Sequence, residues 1–191
     1  DDLMVGGAGD DFYIVRDTTD SVVEHVGDGY DTVLSRVDFT LGQIQEVEVL
    51  RAGSGDDLTL VGNDFNNSVL GSSGNDVVRG AGGDDSVRGN GGDDTIDGGA
   101  GNDSLVGGAG SDVFEFYEGA GDDRSLDFDT ASDSILFTGF EAADVSVSLT
   151  PTGRNALVEY GDESILVVGI DSSELSDLED SFVFDSVALL V

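Results

Sequence analysis

Cysteine is absent from all 191 residues, so neither disulfides nor thiolate-bound metals can hold this chain together. Tryptophan and lysine are absent too, and there is one proline. The only histidine, His25 in VVEHVGDG, has no nucleophile pattern around it and reads as a surface residue of a spacer. No apolar run approaches the roughly 18 residues that argue for a membrane-spanning helix. Positive charge is scarce. Seven basic residues, all arginine, face 41 acids, for a formal net charge of -34. Phosphate backbones and anionic membrane surfaces would be repelled, which removes nucleic acid and charged bilayers as partners. Multivalent cations are what such a chain attracts.

The acids are of an unusual kind. Aspartate outnumbers glutamate 31 to 10 and accompanies 29 glycines, a composition of turns rather than of a solvated helical surface. Cut every nine residues from Gly62, the chain reads GNDFNNSVL, GSSGNDVVR, GAGGDDSVR, GNGGDDTID, GGAGNDSLV and GGAGSDVFE. The sixth position holds Asn67, Asp76, Asp85, Asp94, Asp103 and Asp112. The eighth holds Val69, Val78, Val87, Ile96, Leu105 and Phe114. The same phase runs through Asp2, Asp11 and Asp20, each followed two residues later by an apolar residue. Asp31 and Asp123 continue it two residues late.

Short strands around the eighth position would turn one apolar side chain inward, because strand side chains alternate. The six residues before it would form a turn in which glycine supplies positive φ. Two units make one coil of 18 residues, with one strand on each of two facing sheets. The expected fold is all-β, a right-handed parallel β-roll with a C-terminal β-rich cap. Stacked strands also stack their turns, so Asp76 would meet Asp94, Asp85 would meet Asp103, and Asp94 would meet Asp112. Carboxylates and turn carbonyls without His or Cys make a hard oxygen site of the kind calcium prefers over magnesium. Each unit orders nine residues around one buried apolar side chain, so folding should depend on the metal.

These units resemble the RTX (repeats-in-toxin) nonapeptide GGxGxDxUx, a calcium-binding repeat. Residues 98–106 and 107–115 match throughout, and the three units before them keep the fourth-position glycine, the aspartate and the apolar residue. The first unit departs, with Asn67 in place of the aspartate and Phe65 in place of the glycine. The resemblance implies several calcium ions, each held by two sixth-position aspartates and by carbonyls of the stacked turns. Those carbonyls would belong to Gly71, Ser73, Gly80, Gly82, Gly89, Gly91, Gly98, Ala100, Gly107 and Ala109. YIVRDTTDSVVE and TLGQIQEVEVL resemble spacers between RTX blocks; the second keeps strand-like alternation in IQEVEVL.

Three regions are expected: N-terminal coils and spacer over 1–61, the nonapeptide roll over 62–134 with strict repeats at 71–115, and the cap over 135–191. In LDFDTASDSILF, Asp127, Asp129 and Asp133 either finish the last cation site or are solvated turn acids. VSVSLT, NALVEY and SILVVGI read as antiparallel strands. SSELSDLED reads as a helix capped by Ser172 or Ser173. The end, FVFDSVALLV, reads as a last strand and also resembles an uncleaved type I secretion signal. The chain opens in mid-pattern on DDLMVGG and reads as part of a longer protein. The expected function is a non-enzymatic, secreted bacterial module that folds on calcium outside the cell, with the type I secretion apparatus as partner. Competing readings are a surface module (adhesin, S-layer or polysaccharide binding) and the tail of a secreted hydrolase or alginate epimerase.

Overall fold

All six eighth-position side chains, from Val69 to Phe114, are at most 1 % exposed, so the nine-residue phase defines the core. A computed structural model describes residues 2–27 and 29–185. One sheet aligns Phe12–Val15, Thr32–Ser35, Val49–Ala52, Ser68–Leu70, Ser86–Gly91, Ser104–Ala109 and Asp122–Ser125, all in parallel. The facing sheet aligns Phe39–Thr40, Thr59–Val61, Val77–Gly82, Thr95–Ala100, Val113–Tyr117 and Ser134–Thr138, also in parallel. Registers step by 18 through the strict units, as in Val69–Val87–Leu105 and Val78–Ile96–Phe114. The chain is thus a parallel β-roll. Leu3–Val5 and Ser21–Val23 pair in a small separate sheet.

Several details differ from expectation. Four strands of the strict units are six residues long rather than three, because the second and third positions of the following unit also pair, as Gly99 with Ala81 and Gly108 with Asn90. A left-handed second position lets the strand turn away: φ is 84° at Ala81, 80° at Asn90, 98° at Gly99 and 109° at Gly108. In the spacer, IQEVEVL is strand only from Val49. Ile44 is 83 % exposed, in a turn closed by Gln45 N–H on the Gly42 carbonyl at 3.1 Å.

The C-terminal region does more than cover an end. Val145–Leu149, Asn155–Tyr160 and Glu163–Val168 form the expected antiparallel meander, and its last strand then joins Asp122–Ser125 in parallel. Phe182–Asp185 likewise joins Ser134–Thr138, so both sheets of the roll continue. The helix spans Leu175–Asp180 with Glu174 at its N-cap and no side-chain cap bond. Neither serine caps it, since Ser173 spends both its N–H and its hydroxyl on Asp171 Oδ1, at 2.7 and 2.6 Å. Residues 186–191, which hold the rest of the expected secretion signal, lie outside the described residues.

Here the core thickens with aromatic rings. Phe137, fully buried, lies 5.4 Å from Tyr160, 5.4 Å from Phe182 and 5.6 Å from Phe184, centroid to centroid. Removing that ring leaves a cavity where the two sheets and the C-terminal strands meet. Phe137→Ala should cost about 3–5 kcal/mol, read from denaturant unfolding in saturating calcium. A loss below about 1 kcal/mol would mean the aromatic cluster is not a packed unit.

Candidate metal centre

Each sixth-position residue sits immediately before a strand, where the turn of one coil lies on the turn of the next. Where that residue is aspartate and a coil precedes it, its Oδ1 accepts the backbone N–H of the matching residue one coil earlier. On one edge, Asn67 N–H reaches Asp85 at 2.6 Å, Asp85 reaches Asp103 at 2.7 Å, and Asp103 reaches Asp123 at 2.9 Å. On the other, Asp76 reaches Asp94 at 2.7 Å, Asp94 reaches Asp112 at 2.9 Å, and Asp112 reaches Asp133 at 3.1 Å. The same ladder opens the chain, from Asp2 to Asp20 and from Asp11 to Asp31.

The second carboxylate oxygen has a different fate. Oδ2 of Asp31, Asp85, Asp94, Asp103, Asp112 and Asp123 is buried without any hydrogen-bond partner. Such atoms are rare because desolvation is costly when nothing replaces water. Burial, ahead of all other causes, pushes the Asp85 and Asp123 carboxyls up to about 8, Asp94 to about 7 and Asp103 to about 6; Asp112 is raised for the same reason. Neighbouring carboxylates add to each shift.

Glycine at the first position keeps the pocket open. A Cβ on Gly80 would collide with Asp85 Oδ2 and the Gly98 carbonyl; one on Gly89 would strike Asp94 Oδ2 and the Gly107 carbonyl. Carboxylate and carbonyl oxygens from two coils therefore converge on a space that only glycine leaves free. A buried carboxylate oxygen without a donor on each of these aspartates, with turn carbonyls beside it, makes a hard ligand set that fits calcium and offers nothing to a softer metal.

Not every expected ligand is placed this way. Asn67 is fully engaged, with Oδ1 accepting Asn63 N–H at 2.8 Å and Nδ2 donating to the Val47 carbonyl at 2.8 Å. Asp76 Oδ2 accepts Ser72 N–H at 2.7 Å. Asp20 Oδ2 accepts Arg16 and Asp17 N–H, and these bonds, with that from Asp2, hold its carboxyl below the usual range. Asp127 takes Gly107 and Gly108 N–H, both at 3.0 Å, while Asp129 takes Ala131 N–H at 2.9 Å; both are exposed. Asp133 is buried and ends the ladder, its Oδ2 accepting Asp129 N–H at 2.9 Å. Among the turn carbonyls, Gly71 accepts Asn90 Nδ2 at 2.9 Å, and Ala100 and Ala109 accept Gly83 and Gly92 N–H. Asp2 is exposed at the start of the ladder.

One element is missing from the sequence reading. Fifth-position side chains form a second ladder of opposite direction, accepting from the coil that follows: Asn75 from Asp93 at 2.8 Å, Asp93 from Ser111 at 2.8 Å, Asp84 from Asn102 at 2.9 Å. The signal was present as Asn66, Asn75, Asp84, Asp93, Asn102 and Ser111, all short acceptors.

A parallel roll whose stacked turns present buried, donor-free carboxylates is a solenoid built to hold cations. Four segments, residues 1–15, 59–87, 79–114 and 88–124, match the RTX calcium-binding nonapeptide repeat, so the chain carries RTX calcium-binding repeats. No curated protein matches it. The solved structures similar to it include two enzyme chains. The AlgE6R3 subunit of the Azotobacter vinelandii mannuronan C5-epimerase is 27 % identical, over 73 % of this chain and 85 % of that one, with a TM-score of 0.49. The extracellular lipase LipA of Serratia marcescens is 16 % identical over 96 % of this chain, with a TM-score of 0.45; the match spans 38 % of the lipase.

Proposed function

We propose that this chain is a calcium-triggered folding module that serves the export and stability of a larger secreted bacterial protein, and that it has no catalytic role of its own. One observation carries the reading: the donor-free Oδ2 atoms recur coil after coil, at Asp85, Asp94, Asp103 and Asp112 in the strict repeats and at Asp123 beyond them. Without a cation these carboxylates oppose the stacking that buries them. In a cytosol poor in calcium the chain stays unfolded, the state that threading through a type I exporter requires. Extracellular calcium, at roughly the millimolar level to which such modules are tuned, supplies the missing partner. Asp85 with Asp103, Asp103 with Asp123, Asp94 with Asp112 and Asp76 with Asp94 would hold the ions, helped by first-position carbonyls. The ion adds positive charge between stacked carboxylates; the chain supplies register, burial and the glycine-lined space.

Far-UV circular dichroism during a calcium titration tests this at neutral pH. The expected result is a disordered spectrum in excess EGTA and a cooperative rise of β signal on adding calcium. A β-rich spectrum already present in EGTA would sink the proposal.

A further inference from the structure

The N-terminal coils depart from the repeat at the first position. Counting back from Asp11, that position is Gly6; one full coil later it is Glu24. In the strict units a backbone carbonyl from the later coil comes up beside Oδ2 of the aspartate, as the Gly98 carbonyl does at Gly80. At Gly6 the corresponding atoms are Asp11 Oδ2 and Glu24 Oε1, both within 3.0 Å of where a Cβ would stand. A carboxylate therefore occupies the place of a peptide oxygen.

Two further groups converge there. Asp31 Oδ1 accepts Asp11 N–H at 2.8 Å, and its own N–H donates to Glu48 Oε2 at 2.6 Å. Its Oδ2 remains, on a fully buried residue, without a partner. Ligand oxygens of Asp11, Glu24 and Asp31 all lie within 4.8 Å of one another. The fourth group comes from the core side. Tyr13 is an eighth-position residue, 5 % exposed, and its hydroxyl has no hydrogen-bond partner. That hydroxyl also lies within 3.0 Å of the Gly6 Cβ position. Buried phenols ordinarily find a partner, and three carboxylates at this spacing repel one another. A single hard cation answers both conditions.

We propose that Asp11, Glu24 and Asp31, together with the Tyr13 hydroxyl, form a calcium site of a different kind from those in the strict repeats. It presents three charged ligands and a phenol, where the repeats present two carboxylates and peptide carbonyls. The extra charge should make it bind a trivalent ion more strongly than the sites of the strict repeats do. The proposal shares the identity of the ion with the calcium reading but rests on other residues.

Terbium tests it, because a tyrosine against the ion sensitises terbium emission. The intact chain is titrated with Tb³⁺ under tyrosine excitation, and folding of the roll by calcium is followed in parallel by circular dichroism. Wild type should show a saturating emission whose strongest component disappears in Tyr13→Phe. Glu24→Gln should weaken that component about tenfold or more, since affinity follows the count of charged ligands, while the calcium-induced transition of the roll persists. If Glu24→Gln fails to fold, Asp11→Asn supplies the same comparison. Emission unchanged in Tyr13→Phe, or unweakened in the carboxylate variants, overturns this site alone. A wild type that responds to neither ion overturns the calcium reading as well.

Discussion

Asp94→Ala should raise the calcium concentration needed to fold the chain by about tenfold or more and lower the number of ions bound by two. The reason is its double engagement. Asp94 Oδ1 accepts Asp76 N–H at 2.7 Å, its own N–H donates to Asp112 Oδ1 at 2.9 Å, and its Oδ2 is buried with no donor. It therefore stands between the coil before and the coil after, and each loses a carboxylate when it is removed. The substitution also strands the Asp76 N–H in a buried setting, at a cost of about 1–3 kcal/mol. Asp94→Asn separates the two effects, since its amide oxygen can still accept that N–H while the charge is gone. It should fold better than the alanine variant yet still bind fewer ions by calorimetry. Asp93→Ala is the neighbouring control: exposed, accepting only Ser111 N–H, it should fall within about 0.5–1 kcal/mol of wild type. Asp94→Ala behaving like Asp93→Ala would show that the carboxylates are not shared along the edge.

Protons should be able to stand in for calcium. Folding lifts Asp85 and Asp123 from an ordinary 3.8 to about 8, Asp94 to about 7 and Asp103 to about 6, with burial as the main cause. A carboxyl raised by folding binds more protons in the folded chain than in the unfolded one. The calcium-free roll is therefore destabilised as pH climbs from about 4 towards 8, and stabilised as pH falls through the same window. In EGTA, acidification from pH 8 to about 5 should produce β signal that is absent at neutral pH. In calcium the picture is flat above pH 6, because these carboxylates are ionised both in the unfolded chain and around the ion. A calcium-free chain that gains no β signal on acidification would refute the burial of these groups.

The core was legible from the sequence because its period is set by backbone geometry alone. A side chain every nine residues, apolar at Ile96, Leu105 and Phe114, has one way to face inward when strands alternate. The aspartates were equally visible, since a carboxylate fixed two residues before each of those side chains stacks on the next coil. What stayed hidden depends on partners far apart in the chain. The meander at 145–168 reads locally as antiparallel strands, and nothing in it says that Glu163–Val168 will join Asp122–Ser125 in parallel. Glu24 reads in the sequence as one more acid of a spacer, and only the stacking of its coil on Gly6 brings it beside Asp11. Asp20 carries the right phase, yet the N–H groups of its own turn reach its carboxylate.

The sixth-position ladder spans 18 residues in the strict repeats, 20 from Asp103 to Asp123 and from Asp11 to Asp31, and 21 from Asp112 to Asp133. It connects in every case. The bond therefore counts windings and ignores how much chain each winding consumes at its corners. A fold with that bookkeeping can lengthen by duplicating a whole winding, or acquire a loop at a corner, without disturbing the seating of its neighbours. Variation in such a protein is absorbed where it occurs.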